Sequence, residues 1–377
     1  MDFGFSEEQE AVRDLAAQIF AGHASVERLK EVERSDERVD RALWKALADA
    51  NLLGIAVPED SGGSGFGIVE LCLLLEQQGR VVAPVPLWPT LVLGALPVAR
   101  FGSRDQRERL LPGVVAGDTI LTAALADGGV NDPFSPSTIA SRAGDGWRLD
   151  GRKPSVPAGH VARWMLVPAR VEDELGAVGV FLVDASGRGV DVQPAVTTNR
   201  ERVAHVKFAS ARAEMLGGED ARDGTSVLTS IVDHALVGLC ALQVGVAETA
   251  VRMAADYTSN RHQFNKPLST FQGVALKAAD AYIDTEAMRV TTWQAAWKLS
   301  RGMDATREVL VAKWWASDAG QRVVHTTQHL HGGLGADVDY PIHRYFLWGK
   351  QIEDTLGGAS ATLARLGRTI AAAGAAR

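Results

Sequence analysis

The chain is poor in cysteine and in positive charge, and each shortage argues against a class of protein. Only two cysteines occur among the 377 residues, Cys72 and Cys240, and both stand in apolar helical surroundings. They are predicted to be buried thiols in a reducing compartment, not a disulfide. The net charge of −7 argues against a nucleic-acid-binding protein, which usually carries a basic surplus.

The sequence also lacks the marks of export and of membrane insertion. Its first residues, MDFGFSEEQEAV, have neither a basic start nor an apolar core, so we predict no signal peptide. No apolar run reaches the roughly 20 residues that a membrane span needs. His325, His329 and His331 have no carboxylate or cysteine partner at zinc-binding spacing, so we predict no metal site. Together these absences favour a cytoplasmic protein.

What the chain does contain is helical periodicity at both ends and strand-like runs in the middle. Ser6 starts a helix with acidic residues in its first turn, and helical patterns continue to about residue 120. Short β-prone runs between Gly, Asp and Pro turns fill residues 121–222 and predict a small antiparallel β domain. From residue 223 onward, four long stretches of helical periodicity predict a helix bundle.

Two motifs in the last third carry the functional signal. RHQFNKPLSTFQ, residues 261–272, interrupts helical sequence and restarts a helix near Ser269. A helix start exposes backbone N–H groups at the positive end of a dipole, and Arg261 beside it favours a phosphate or pyrophosphate. The second motif, HGGLG at 331–335, has two adjacent glycines that let backbone approach a ligand closely. Taken singly, an arginine such as Arg261 is more often a solvated surface charge, and a glycine pair is more often an ordinary turn.

In combination, RxxFxKP, FQ, HGGxG and YPxxR resemble the C-terminal domain of the acyl-CoA dehydrogenase family. The likeness covers essentially the whole chain and implies an α+β fold: an N-terminal helical domain at 1–120, an antiparallel β-barrel at 121–222 and a C-terminal four-helix bundle at 223–377. It also implies FAD, whose adenine and pyrophosphate end the C-terminal motifs bind, mostly for a neighbouring subunit. The residues it assigns to the cofactor are Arg261, Phe264, Gln272, His329, Gly332 and Gly333, with His329 in place of the usual Gln.

The resemblance implies a reaction for which this sequence lacks the expected base. The family dehydrogenates an acyl-CoA thioester: a carboxylate removes the α-proton, and the β-hydrogen passes as hydride to the flavin. The usual position of that carboxylate corresponds to Leu356, and the position used by a minority corresponds to Ala235. Neither side chain transfers a proton. The nearby carboxylates, Asp233, Glu353 and Asp354, fall on other helix faces and are predicted to be surface charges.

The segments that relatives place around their own flavin ring are altered as well. A hydroxyl in the (T/S)EPxxGSD segment is replaced by Ala126, and its proline by Gly128. In the KxWIT segment, Ser155 replaces the Trp and Pro157 replaces a flavin-facing Thr. Proline has neither an N–H nor a hydroxyl to donate. We therefore predict that the half of the site that reaches a neighbour is kept and the half that holds the chain's own flavin ring is lost.

Three functions are compatible with this pattern. The favoured one is a non-catalytic subunit that completes the FAD site of a second dehydrogenase-like subunit, in a heterodimer or heterotetramer that acts on an acyl-CoA thioester and reduces an acceptor flavoprotein. Some bacterial members of the family form such pairs, often for sterol side-chain thioesters. The second is a self-sufficient homomeric dehydrogenase whose base is Asp354 or Glu353. The third is a flavin monooxygenase-like or non-redox acyl-CoA-binding protein.

Overall fold

The computed structural model of the chain describes residues 4–127, 132–144, 146–172, 174, 176–218 and 223–375. Its backbone divides into two compact units. One unit contains Met1–Leu29, Cys72–Ala83 and Leu236–Arg377; the other contains Lys30–Leu71 and Pro84–Ala235. The domain boundaries at residues 120 and 222, which were drawn from composition, stay a prediction.

Helices fill the first part of the chain, as its periodicity predicts. The helix start at Ser6 is confirmed, and it is a capping box: Gln9 N–H donates to Ser6 Oγ over 3.3 Å, and Ser6 N–H donates to Gln9 Oε1 over 3.0 Å. A helix that the sequence pattern did not predict follows at 26–34. The bounds are α1 Glu7–His23, α2 Val26–Arg34, α3 Arg41–Asp49, α4 Ile68–Val81, a π-helical segment Trp88–Ala95, α5 Leu96–Phe101 and α6 Arg104–Val115.

The middle of the chain forms a seven-stranded sheet that closes on itself. Its strands are β1 Leu121–Ala123, β2 Ile139–Ala143, β3 Gly146–Pro157, β4 Trp164–Val171, β5 Val178–Asp184, β6 Val190–Val196 and β7 Arg202–Met215. The order β4-β2-β3-β7-β5 returns to β4, and β1 and β6 pair with β4 and β7. Strand β4 runs parallel to β1 and β2, a detail that the β-prone runs did not predict. The predicted α+β fold, with a β domain between helical regions, is confirmed.

The last part of the chain is helical again. Its helices are α7 Gly224–Asn260, α8 Gln272–Ser300, α9 Thr306–Leu330, α10 Ile342–Asp354 and α11 Ala359–Ala375. Apolar residues of α7 and α9 meet α8 in a buried cluster formed by Val244, Ala247, Ala281, Met288, Ala319 and Val323. Among the described residues, α7 is the one helix whose length and hydropathy suit a membrane span, and most of its apolar window is buried inside the protein.

Glycines allow α4 and α7 to approach each other closely. A Cβ on Gly79 would lie 2.2 Å from the carbonyl oxygen of Leu242, and one on Gly245 would lie 2.1 Å from that of Glu76. Beside this contact, Arg289 of α8 donates to both Glu76 and Glu248, over 3.0 and 2.8 Å. This ion network ties three helices together. Cys72 and Cys240 are buried and unbridged, as predicted.

Candidate cofactor site

A tight hairpin follows α7 and presents Phe264 to solvent. Strands β8, His262–Gln263, and β9, Lys266–Pro267, pair around a two-residue turn. Both turn residues, Phe264 and Asn265, have positive φ, 53° and 61°, which is the geometry of a type I′ turn. A bulky residue in this region is strained, and such strain concentrates at functional positions. The ring of Phe264 is 87% exposed, so burial does not explain its presence there.

The chain then leads directly into α8 and brings Arg261 beside the start of that helix. Leu268 N–H donates to the Arg261 carbonyl over 2.8 Å. Lys266 lies over the ring of Phe271, with Nζ 4.2 Å from the centroid. Phe271 caps α8 without a side-chain hydrogen bond, so the first two backbone N–H groups of this helix, at Gln272 and Gly273, are left for solvent or a ligand.

The glycine pair forms an exposed turn after α9. Residues Gly332–Ala336 make a single 3₁₀ turn, and Gly332 has φ +58°. A Cβ on Gly332 or Gly333 would meet no atom within 4 Å, whereas one on Gly335 would lie 2.3 Å from the Gln328 carbonyl oxygen. Packing therefore requires glycine at 335 but not at 333. An exposed, side-chain-free backbone at 333 suits a ligand that approaches the main chain.

His331 connects this turn to the end of α7. Its ring stacks on Tyr257 with centroids 4.7 Å apart, and Tyr340 contacts it at 5.2 Å. Because the Thr327 carbonyl only accepts, the 2.7 Å bond at Nδ1 places the proton there. Nε2 is buried and accepts no hydrogen bond from the described residues. Burial lowers the pKa of His331, partly opposed by the Thr327 carbonyl, so the ring is neutral near pH 7.

The predicted cofactor residues thus lie on one compact unit, on two segments joined by the His331 stack. Tyr257 is one turn before Arg261, so the stack holds the base of the hairpin near the glycine turn. All six predicted residues, including His329 on the last turn of α9, are exposed. A cation, an aromatic ring, a free helix start and a glycine turn fit the anionic and adenine end of a dinucleotide. His331 was not among the predicted cofactor residues, although its position next to the glycine pair was a usable signal.

At the predicted position of the base, the turn after α10 holds Leu356 in an unusual backbone conformation. Its φ is +60°, which costs a non-glycine residue roughly 1–2 kcal/mol. The end of α10 is fixed by Lys313, a buried residue of α9 whose Nζ donates to the carbonyls of Ile352 and Glu353 over 2.7 and 3.0 Å. Burial lowers the pKa of Lys313 to about 8. The turn is therefore rigidly held, but it presents an apolar side chain.

The carboxylates near the two base positions differ from one another in exposure. Asp354 is exposed, as predicted for a surface charge, whereas the side chain of Glu353, which is ion-paired with Lys350, is only 12% exposed. Asp233 was also predicted to be a surface charge. That prediction is wrong, because Asp233 is only 4% exposed. Residues 231–247 of α7 are all buried, so Asp233 lies in the interior together with its apolar neighbours.

The second base position lies within this buried part of α7. Ala235 is fully buried, and its carbonyl accepts a 3.0 Å hydrogen bond from the Trp88 indole. The neighbouring His234 bonds the Ser230 carbonyl at Nδ1 and lies 2.7 Å from Arg100 at Nε2. Burial, and next the Arg100 charge, lower the pKa of His234 to about 4. This imidazole is therefore neutral, with its acceptor nitrogen already occupied.

The segments expected around a flavin ring do not fit that ring. Pro157 presents only its carbonyl, which accepts from Thr122 Oγ1 over 2.6 Å. The Ser155 N–H is already used, because it donates to His205 Nδ1 over 3.2 Å. Ala126 is exposed and carries no hydroxyl. Gly128 lies outside the described residues.

Beside these segments, Asp127 forms a buried ion pair with Lys153. The same carboxylate accepts from the Ser137 N–H over 3.1 Å and from the Ser137 hydroxyl over 2.6 Å. Burial lowers the pKa of Lys153, and the Asp127 charge partly restores it. The polar groups of this corner bond one another instead of facing a ligand.

Comparison with known proteins identifies one family at both ends of the chain. Residues 6–118 match the model of the acyl-CoA dehydrogenase N-terminal domain, and residues 222–371 match that of the C-terminal domain. The acyl-CoA dehydrogenase FadE27 of Mycobacterium tuberculosis is 39% identical over 98% of this chain and 99% of its own length.

Two solved structures resemble the chain over nearly its full length. A variant of the steroid ACAD Tcur3481-Tcur3483 has a TM-score of 0.92 and 49% identity over 98% of this chain and 99% of the matched one. The ChsE4-ChsE5 complex of Mycobacterium tuberculosis has a TM-score of 0.91 and 38% identity, with the same coverage.

Proposed function

Because this chain belongs to the acyl-CoA dehydrogenase family, we propose that it is the subunit of a heteromeric dehydrogenase that lacks the general base and completes the FAD site of an unlike, catalytic subunit. One observation carries the proposal. The exposed set at Arg261, Phe264, Gln272 and Gly332–Gly333 is intact, whereas both base positions, Leu356 and Ala235, are apolar. A self-sufficient enzyme needs both halves.

Within this proposal the residues of the chain bind and orient; they do not transfer protons. Arg261 neutralises the pyrophosphate charge, and the N–H groups at the start of α8 add partial positive charge beside it. The exposed ring of Phe264 would offer an aromatic part of the cofactor a stacking partner. The bound FAD supplies the redox step, since it accepts hydride. The catalytic carboxylate belongs to the unlike subunit.

The substrate class is proposed from the relatives. One similar structure is described as a steroid ACAD, and another is a complex of two named chains. We therefore assign a sterol-derived acyl-CoA thioester to the complex, with an acceptor flavoprotein for its electrons and the cytoplasm as its location. FadE28 of Mycobacterium tuberculosis, 33% identical over 97% of this chain, is a further relative with which to compare substrate range.

Purified alone, the chain is expected to be colourless. Ala126 and Pro157 offer the isoalloxazine ring neither a hydroxyl nor an N–H, so retained flavin should stay well below one per chain. An absorbance spectrum between 350 and 500 nm, taken before and after co-expression with an adjacently encoded dehydrogenase-like chain, measures this (the window is roughly that of any flavin). A yellow preparation of the lone chain with acyl-CoA turnover would support the homomeric function instead.

In the active complex, Asp354→Asn should leave turnover within about twofold of wild type, because the base lies on the other subunit. Glu353→Gln tests the second nearby carboxylate of this chain in the same way, since it keeps the shape of that side chain. Both are assayed with excess FAD, so that cofactor loss is not mistaken for lost chemistry. If either variant removes activity while flavin stays bound, this chain supplies the base and the proposal is wrong.

A further inference from the structure

The outer face of strands β3 and β7 carries two pairs of facing cations. Arg148 of β3 lies directly opposite Arg212 of β7, and Arg152 lies directly opposite Lys207. Arg148 is partly exposed, and the other three are exposed. None of the four forms an ion pair or a side-chain hydrogen bond with another described residue.

These facing pairs oppose the stability of the sheet. Side chains directly opposite each other on neighbouring antiparallel strands have Cβ atoms about 4.5–5.5 Å apart, and like charges at that distance repel. An acidic side chain in place of Arg148 or Arg212 would turn the repulsion into attraction. The chain as a whole carries a net charge of −7, so the repulsion does not follow from its composition. Local choices that oppose folding concentrate at functional sites.

The spacing of the two pairs indicates the kind of partner. Lys207 and Arg212 are five residues apart on β7, roughly 16 Å at 3.3 Å per residue, so a single phosphate or carboxylate reaches only one pair. Between the pairs lies exposed Asp150, whose Oδ1 accepts from the Ser210 N–H over 2.9 Å. Asp191 of β6 lies on the other side of Lys207 and ends the basic area there. A nucleic acid would bring phosphate against Asp150, whereas a folded protein can alternate its charges.

We propose that this face of β3 and β7 docks an acidic protein surface, with carboxylates on each cation pair and a basic group opposite Asp150. Arginine side chains suit this role because their planar guanidinium groups bind carboxylates in a bidentate manner. The neighbouring exposed side chains, Ser155, Gln193 and His205, are polar. A contact without an apolar anchor forms quickly, dissociates quickly and weakens as salt rises.

This docking goes beyond the proposed function and does not rest on it, because no residue of the face is among the candidate cofactor residues. Binding is therefore measured on the purified full chain without added FAD. Failure of the proposed function leaves the docking test unchanged, and failure of the docking test leaves flavin retention by the complex unchanged.

A peptide with the complementary charge pattern is the probe. It is a labelled helical peptide of about 18 residues, with two glutamates near each end, about 11 residues apart, and a lysine between them; 11 residues span about 16 Å and about three turns, so the charges share one face. A second peptide has the same composition with its glutamates grouped at the centre. In fluorescence anisotropy at about 50 mM salt, the first should bind at least about fivefold tighter. Equal affinities, or tighter binding of a short DNA duplex, overturn the proposal.

Arg148→Glu, with Arg188→Glu as its control, separates this face from net charge. Arg188 is an exposed arginine in the turn before β6, outside the face, and forms no ion pair with a described residue. Arg148→Glu should weaken peptide binding about fivefold or more, and Arg188→Glu should change it less than about twofold. Equal losses from the two variants overturn the proposal.

Thermal unfolding of the same two variants shows whether the arginine serves binding or folding. Arg148→Glu places opposite charges across β3 and β7, so the melting temperature of the chain should rise by about 1 °C at low salt while peptide affinity falls. An arginine kept for structure gives the reverse, a lower melting temperature with unchanged peptide affinity. That result overturns the proposal.

Discussion

Arg261→Ala should weaken retention of FAD by the complex ten- to a hundredfold while the fold is unchanged. Arg261 is exposed, its carbonyl accepts from the Leu268 N–H shortly before the start of α8, and its side chain forms no hydrogen bond or ion pair with another described residue. A charge-assisted bond to pyrophosphate contributes about 1.5–3 kcal/mol, which corresponds to this range of dissociation constants. The quantity to measure is the dissociation constant for FAD of the apo-complex.

Arg252→Ala is the control for nonspecific loss of charge. Arg252 lies on the same helix, α7, and is exposed and paired with Glu248 over 2.8 Å. Its removal should leave FAD affinity within about twofold of wild type, since exposed ion pairs contribute little. Equal losses from both variants would show that net charge, and not a placed guanidinium, governs affinity, and the assignment of Arg261 would fail.

Gly333→Leu should remove FAD binding by at least about a hundredfold, a cost of roughly 3 kcal/mol, and leave the melting temperature of the apoprotein unchanged. A Cβ at Gly333 meets no atom within 4 Å, so the folded chain accepts a side chain there. A ligand that lies against the bare backbone leaves no room for that side chain. This separation of stability from affinity identifies a binding surface, because a glycine needed for folding fails both tests.

Gly335→Ala provides the opposite control. Its Cβ would lie 2.3 Å from the Gln328 carbonyl oxygen, so the substitution should lower the melting temperature even without cofactor. Equilibrium FAD binding and thermal unfolding of the apoprotein are measured for both variants. Normal FAD affinity in Gly333→Leu would rule out close backbone approach at the turn and remove the glycine pair from the site.

Much of the fold could be predicted from local pattern, because caps, helical stripes and β-prone runs act over a few residues. The helix start at Ser6, the helical periodicity of the last third and the β-prone runs in the middle of the chain are of this kind. The parallel pairing of β4 was not predictable, since it depends on strands distant in sequence. The burial of Asp233 escaped prediction for a similar reason: surrounding elements, not its own helix, decide its exposure.

The candidate site likewise contains residues that the sequence could identify and contacts that it could not. Arg261 and Gly333 belong to contiguous motifs, so sequence identified them directly. The His331 stack needs Tyr257 and Tyr340, which are 83 residues apart in the chain and meet only through folding. The positive φ of Phe264 also has no sequence mark, because turns of this type usually contain Asn or Gly.

The exposure of Phe264 has a consequence for how the enzyme responds to dilution. In the proposed complex, a cofactor surface that stands open on this subunit binds tightly only when the unlike subunit covers it, so flavin occupancy and subunit association are linked equilibria. Flavin binding must strengthen subunit association by the same factor by which subunit association strengthens flavin binding. Diluting the complex below its subunit dissociation constant therefore releases flavin even though no side chain has changed, and added FAD draws the subunits back together by mass action.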